Sequence, residues 1–87
     1  MEFEYDPANS KINVEEHGIN FGHAKLQWLD EKRIVVPARS ITEPRAAIIA
    51  QHAGTLWIAI YTMRGDSIRL ISVRRSRNEE REGYNNR

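Results

Sequence analysis

The sequence contains no cysteine. That rules out a disulfide framework, a cysteine nucleophile and a thiolate zinc site. It also lacks a long apolar run, since the longest stretch, residues 56–61, is far short of the roughly 20 residues a membrane helix needs. The opening MEFEYDP has neither a basic cluster nor an apolar core, so no secretory signal is expected and the expected location is the cytoplasm. No glycine-rich GxGxxG or GxxxxGKS loop occurs, which disfavours nucleotide hydrolysis and dinucleotide redox chemistry. His17, His23 and His52 show no metal-ligand spacing, so neither a metal nor a cofactor is expected. Ser72 has no neighbouring histidine to make it a nucleophile.

What is present suits one globular domain over residues 1–87: 40 % hydrophobic and 29 % charged side chains. A chain this short buries only about 60–65 % of the surface it exposes when unfolded, so a partner would help it. The net charge of +1 hides an asymmetry. Residues 1–44 hold five basic and eight acidic side chains; residues 45–87 hold eight basic and four acidic ones. All eight late bases are arginine, whose planar fork suits phosphate and never deprotonates in use.

The pattern along the chain is that of an α+β fold. Phe3 and Tyr5 alternate with Glu2 and Glu4 as in a half-buried strand. Asp6-Pro7 starts a helix and His17-Gly18 stops it, with Ala8, Ile12 and Glu15 sharing one face. Asn20 caps a second helix whose stripe is Phe21, Ala24 and Trp28, ending at Leu29-Asp30. The two helices form a hairpin on the sheet that follows. Residues 34–36, 46–51, 55–63 and 67–75 read as four strands, with a polar loop at 38–44 and tight turns near Gly54 and Gly65. Short links make antiparallel neighbours. The expectation is a strand, a two-helix hairpin, a four-stranded antiparallel sheet and a C-terminal helix within residues 76–87, capped by Ser76 or Asn78. In residues 55–63, Leu56, Ile58 and Ile60 oppose Trp57, Ala59 and Tyr61, so that strand is apolar on both faces.

The densest chemistry lies in RGDSIRLISVRRSR, residues 64–77, with five arginines against Asp66 alone. Strict alternation puts Arg69, Ile71, Val73 and Arg75 on one face and Ile68, Leu70, Ser72 and Arg74 on the other. Arginines at both ends of a buried strand solvate its ends, and as a group they can also hold a phosphate backbone.

FEYDPANSKINVEEHGINFGHA, then WLD, then EPR, and above all YTMRGDSIRLISVRRSRNEEREGY resemble the BrnT family, toxins of bacterial toxin–antitoxin pairs. The most specific pieces are Asn13, His17-Gly18 and Phe21, and the run from Arg64 through Arg69 and Arg74 to Glu80, Arg81 and Tyr84. The resemblance implies a RelE-like fold and RNA cleavage that blocks translation. It also implies a BrnA-like antitoxin in a hetero-oligomer that represses its own promoter, with the antitoxin alone touching DNA. Two departures are Glu16, where the family often has a base, and Ala50-Gln51-His52, where it commonly has glycine.

A metal-free ribonuclease activates the RNA's own 2′-hydroxyl and stabilises charge on phosphorus. For that task Arg64, Arg69 and Arg74 are candidate phosphate clamps and Tyr84 a proton donor or stacking platform. His17 is a candidate base if the helix hairpin brings it near. Arg75, Arg77, Arg81 and Trp57 are candidates for binding RNA. The competing readings are a degenerate toxin that only docks its antitoxin, and an RNA-binding domain without catalysis.

Overall fold

The capping signals in the first part of the chain are used as their chemistry predicts. The structure, a computed structural model, describes residues 2–39 and 43–86. A short strand β1 (Glu2–Glu4) leads into helix α1 (Pro7–His17). The Asp6 carboxylate accepts a bond from the Ala8 amide at 2.9 Å, and Gly18 closes the helix in the left-handed conformation at φ 78°. Asn20 caps α2 (Phe21–Ala24) by accepting from the His23 amide at 2.7 Å, and a 3-10 turn, Lys25–Leu29, continues it. Strands β2 (Ile34–Ala38), β3 (Arg45–His52), β4 (Thr55–Arg64) and β5 (Ser67–Arg75) follow, then helix α3 (Asn78–Asn85). Within the loop expected at 38–44, Ala38 belongs to β2 and residues 40–42 lie outside the described residues.

Among the described residues the sheet has five strands rather than four, in the order β1-β5-β4-β3-β2. Strands β2 to β5 form the expected antiparallel meander, and β1 adds to its edge parallel to β5, with Glu4 opposite Arg69. Pairing between segments so distant in sequence leaves no mark in local alternation or turn chemistry. Phe3 is held there by Trp28, edge to face at 5.0 Å.

Helix α1 does not bury the expected Ala8, Ile12 and Glu15 face. Ile12 is 48 % and Val14 43 % exposed, and the buried residue is Asn13. The reason lies in β5, whose outer edge runs on past the end of β1. There the Asn13 side chain accepts from the Val73 amide at 3.0 Å and donates to the Val73 carbonyl at 2.9 Å and the Ile19 carbonyl at 2.8 Å. One side-chain amide thus supplies the donor and acceptor that a neighbouring strand would supply.

Strand β4 is apolar on both sides, as its alternation predicts. Trp57, Ala59 and Tyr61 enter a core under α1 and α2 with Phe21, Ile48 and Val73, while Ile58 and Ile60 pack with Ile49 and Tyr84 under α3. Gln27 is buried in the first layer, donating to the Trp57 carbonyl at 3.0 Å.

Strand β5 departs from strict alternation. Ile60 lies opposite Ser72 and Tyr61 opposite Leu70, so Ile71 has no partner and forms a bulge. The extra residue turns the strand by one place. Leu70 and Val73 therefore enter the same core, and Arg69, Ser72 and Arg74 share the α3 face. Arg77, not Ser76 or Asn78, is the N-cap of α3, and the Glu80 carboxylate accepts from its amide at 2.7 Å.

Candidate nucleic-acid interface

Helix α3 covers the part of its sheet face formed by Ile34, Ile49 and Ile58. Beyond it, the strands carry charge. Arg69 stands opposite Thr62, and Arg64 sits two residues further along β4 on the same face, beside the hairpin. Both guanidinium groups reach one carboxylate, that of Glu4: Arg64 Nε at 3.7 Å and Arg69 Nη1 at 3.6 Å. Two cations share one anion, and the pairs are partly exposed. Contacts of this kind contribute only about 0.2–1 kcal/mol each, so a phosphate can displace them.

Arg74 lies on that face but is bound differently. Its Nη1 and Nη2 donate to the two Glu80 carboxylate oxygens at 2.9 and 2.8 Å, and Nη1 also donates to the Arg75 carbonyl at 3.1 Å. These bonds raise the Arg74 pKa against an opposing effect of burial. The bond from Arg74 likewise holds the Glu80 carboxyl below the usual carboxylate range, burial again opposing and the Arg77 amide assisting. Strict alternation would separate Arg69 from Arg74; the bulge reunites them on one face, and Glu80 then neutralises Arg74.

The other candidates do not join this group. Tyr84 is buried with Ala47, Ile49 and Ile58, and its phenol donates to the Asp30 carboxylate at 2.6 Å. The tail packs inward because that ring faces the sheet, so the phenol does not meet Arg64 and Arg69. His17 ends α1, on the far side of the sheet, where its contact is with Glu16 at 3.7 Å. The departure at Glu16 consequently leaves the arginine face untouched. Trp57 is 8 % exposed and Arg75 lies over its ring at 5.8 Å, so no base can stack there.

Arg75 and Arg81 do come together, lining a cavity of about 320 Å³ with Gly54, Thr55 and Leu56. Among the described residues, no carboxylate lies within 4 Å of the guanidinium group of either of these two or of the exposed Arg77. Sequence reasoning missed two residues of the open face. Glu4 read only as the polar side of a strand, and no local signal marks it. Arg45 begins β3 on the same face, and its signal is the EPR segment singled out by resemblance. Among the described residues no group of three or more His, Cys, Asp or Glu side chains could hold a metal ion, and no helix is long and apolar enough to cross a membrane.

No curated protein matches the chain significantly. The model of the family "ribonuclease toxin, BrnT, of type II toxin-antitoxin system" matches residues 5–80. That stretch includes Asn13, Arg45, Arg64, Arg69 and Arg74, and it stops short of Glu4 on one side and Tyr84 on the other. Covering most of the sequence, the match shows that the chain belongs to the BrnT family of ribonuclease toxins of type II toxin–antitoxin systems.

Proposed function

We propose that the protein is a metal-independent endoribonuclease that acts in the cytoplasm, cuts RNA and so stops translation, and is silenced by a BrnA-like antitoxin. Through that antitoxin's own DNA-binding domain the complex represses its promoter. The observation that carries the reading is the shared face of Arg64 and Arg69, where two guanidinium groups meet one exchangeable carboxylate on rigid strands.

The chemistry needs little more than positioning. Arg64 and Arg69 receive the scissile phosphate and stabilise the charge that builds on its oxygens. Glu4, within 4 Å of both guanidinium groups, accepts the proton of the 2′-hydroxyl. The freed oxygen bonds to phosphorus as the bond to the 5′-oxygen breaks, and a solvent proton goes to that leaving oxygen. The products are a 2′,3′-cyclic phosphate and a 5′-hydroxyl. Arg75, Arg77 and Arg81 hold flanking phosphates, and Arg74 serves to clamp α3 through Glu80.

Incubation of purified protein with RNA in chelator tests this directly. Cleavage that stops on adding the antitoxin supports it, and Arg69→Ala should lower the rate by about 10²–10³-fold. Intact RNA, or full toxicity from both Arg64→Ala and Arg69→Ala, would overturn it. A second reading, a degenerate toxin that only docks its antitoxin, is favoured by one observation: Arg64, Arg69 and Arg74 each already face a glutamate. Induced expression separates the two, because only the nuclease arrests growth.

A further inference from the structure

The sheet register places a third guanidinium beside Arg64 and Arg69. Arg45 pairs with Ala38 in β2, and the next residue, Ala46, pairs with Tyr61 in β4. Ala46 and Tyr61 belong to the core under α1 and α2, whereas Ala38 packs toward α3, so Arg45 opens onto the α3 face. There it flanks Thr62 from β3 as Arg69 flanks it from β5. With strands about 4.8 Å apart, the two arginine backbones stand roughly 10 Å from each other across Thr62. Arg64 completes a triangle.

Three further details set Arg45 apart. Its tie to Glu43, at 3.4 Å, is long and weak. Its Nε is buried and has no hydrogen-bond partner among the described residues, an arrangement that costs a native protein free energy unless a ligand or a rearrangement supplies an acceptor. The Thr62 hydroxyl donates to the Pro44 carbonyl at 2.6 Å, which pins the residue before Arg45 to β4. Arg74, by contrast, pairs with Ile58, roughly 13 Å along β4 from Thr62, and its fork is spent on Glu80.

We propose that Arg45 is a phosphate-binding residue, gripping an RNA phosphate jointly with Arg69 across Thr62 and taking the third place that the sequence pattern assigns to Arg74. A phosphate oxygen is the acceptor that the Arg45 Nε lacks among the described residues, and reaching it swings the side chain out over Thr62. The proposal rests on the ribonuclease reading for its reaction, though not for its binding.

The test compares wild type, Arg45→Gln, Arg45→Lys and a control on the far face, Lys11→Gln, each checked by thermal melting. Cleavage of a short RNA in chelator should fall about 10²–10³-fold in Arg45→Gln and stay unchanged in Lys11→Gln. Affinity for the same RNA with a 2′-deoxy scissile position should show a salt dependence shallower by about one ion in Arg45→Gln and restored in Arg45→Lys. Cleavage within threefold of wild type together with an unchanged salt slope would overturn the role of Arg45. If wild type binds without cutting, the ribonuclease reading fails while the salt slopes still decide this one. If Arg45→Gln does not fold, Arg45→Lys decides: slow cleavage with a wild-type slope supports the proposal, and full cleavage refutes it.

Discussion

Replacing Asn13 by alanine strips three buried hydrogen bonds at once and leaves the Val73 amide and carbonyl without partners. The expected loss is about 2–4 kcal/mol, measured as a lower urea midpoint with unchanged slope. Glu80→Gln removes a bidentate pair and should cost about 1–3 kcal/mol at neutral pH. The sign with pH follows from the lowered Glu80 pKa. The native carboxylate gives up its proton more readily than the unfolded one, so its stabilisation is complete above the unfolded pKa and is lost as pH falls through the native one. Urea melts at pH 7 and pH 3 should therefore show the gap between wild type and variant closing in acid. Residues whose role is local were legible in the sequence. Asp6 and Asn20 accept from amides within three positions and the Gly18 amide donates to the Val14 carbonyl, and their chemistry says so. Asn13 and Glu4 act on β5, and nothing nearby in sequence betrays them.

Elements were legible wherever one periodicity held throughout. Strand β4 alternates without interruption, and both its faces were readable. Strand β5 was not, because a single unpaired residue, Ile71, inverts the pattern halfway along. Removing Ile71 closes the bulge and leaves Leu70, Val73 and Arg74 on their present faces, so the variant should fold within about 2 kcal/mol of wild type. Removing Val73 closes the same bulge but puts Ser72 in the place of Val73 opposite Ala59, a buried hydroxyl for a buried isopropyl, so that variant should be less stable than the Ile71 deletion by about 1–3 kcal/mol. Near-ultraviolet dichroism of the two proteins, followed through urea melts, checks both outcomes. Helix α1 misled for a related reason: its apolar Ile12 and Val14 face outward, because the edge of β5 required an amide, not a methyl group.

At the scale of the whole molecule, the small domain expected from length has one sheet between two modest apolar layers. Its stability should respond strongly to the antitoxin partner that its family implies. Free partner at 100 times its dissociation constant adds about 2.7 kcal/mol, which for a chain of this size raises the melting temperature by roughly 10–20 °C. Calorimetry with increasing antitoxin should show that climb, and a constant melting point would mean that the two do not bind.

The parallel pairing of β1 with β5 bears on how such a protein is made. Glu4 and its strand leave the ribosome well before Arg69, and Asn13 waits for Val73, 60 positions later. Until then the nascent chain has no last strand to complete the sheet, and the arginine face does not exist. A cell translating this message thus reaches the last strand before the face proposed to grip RNA can form.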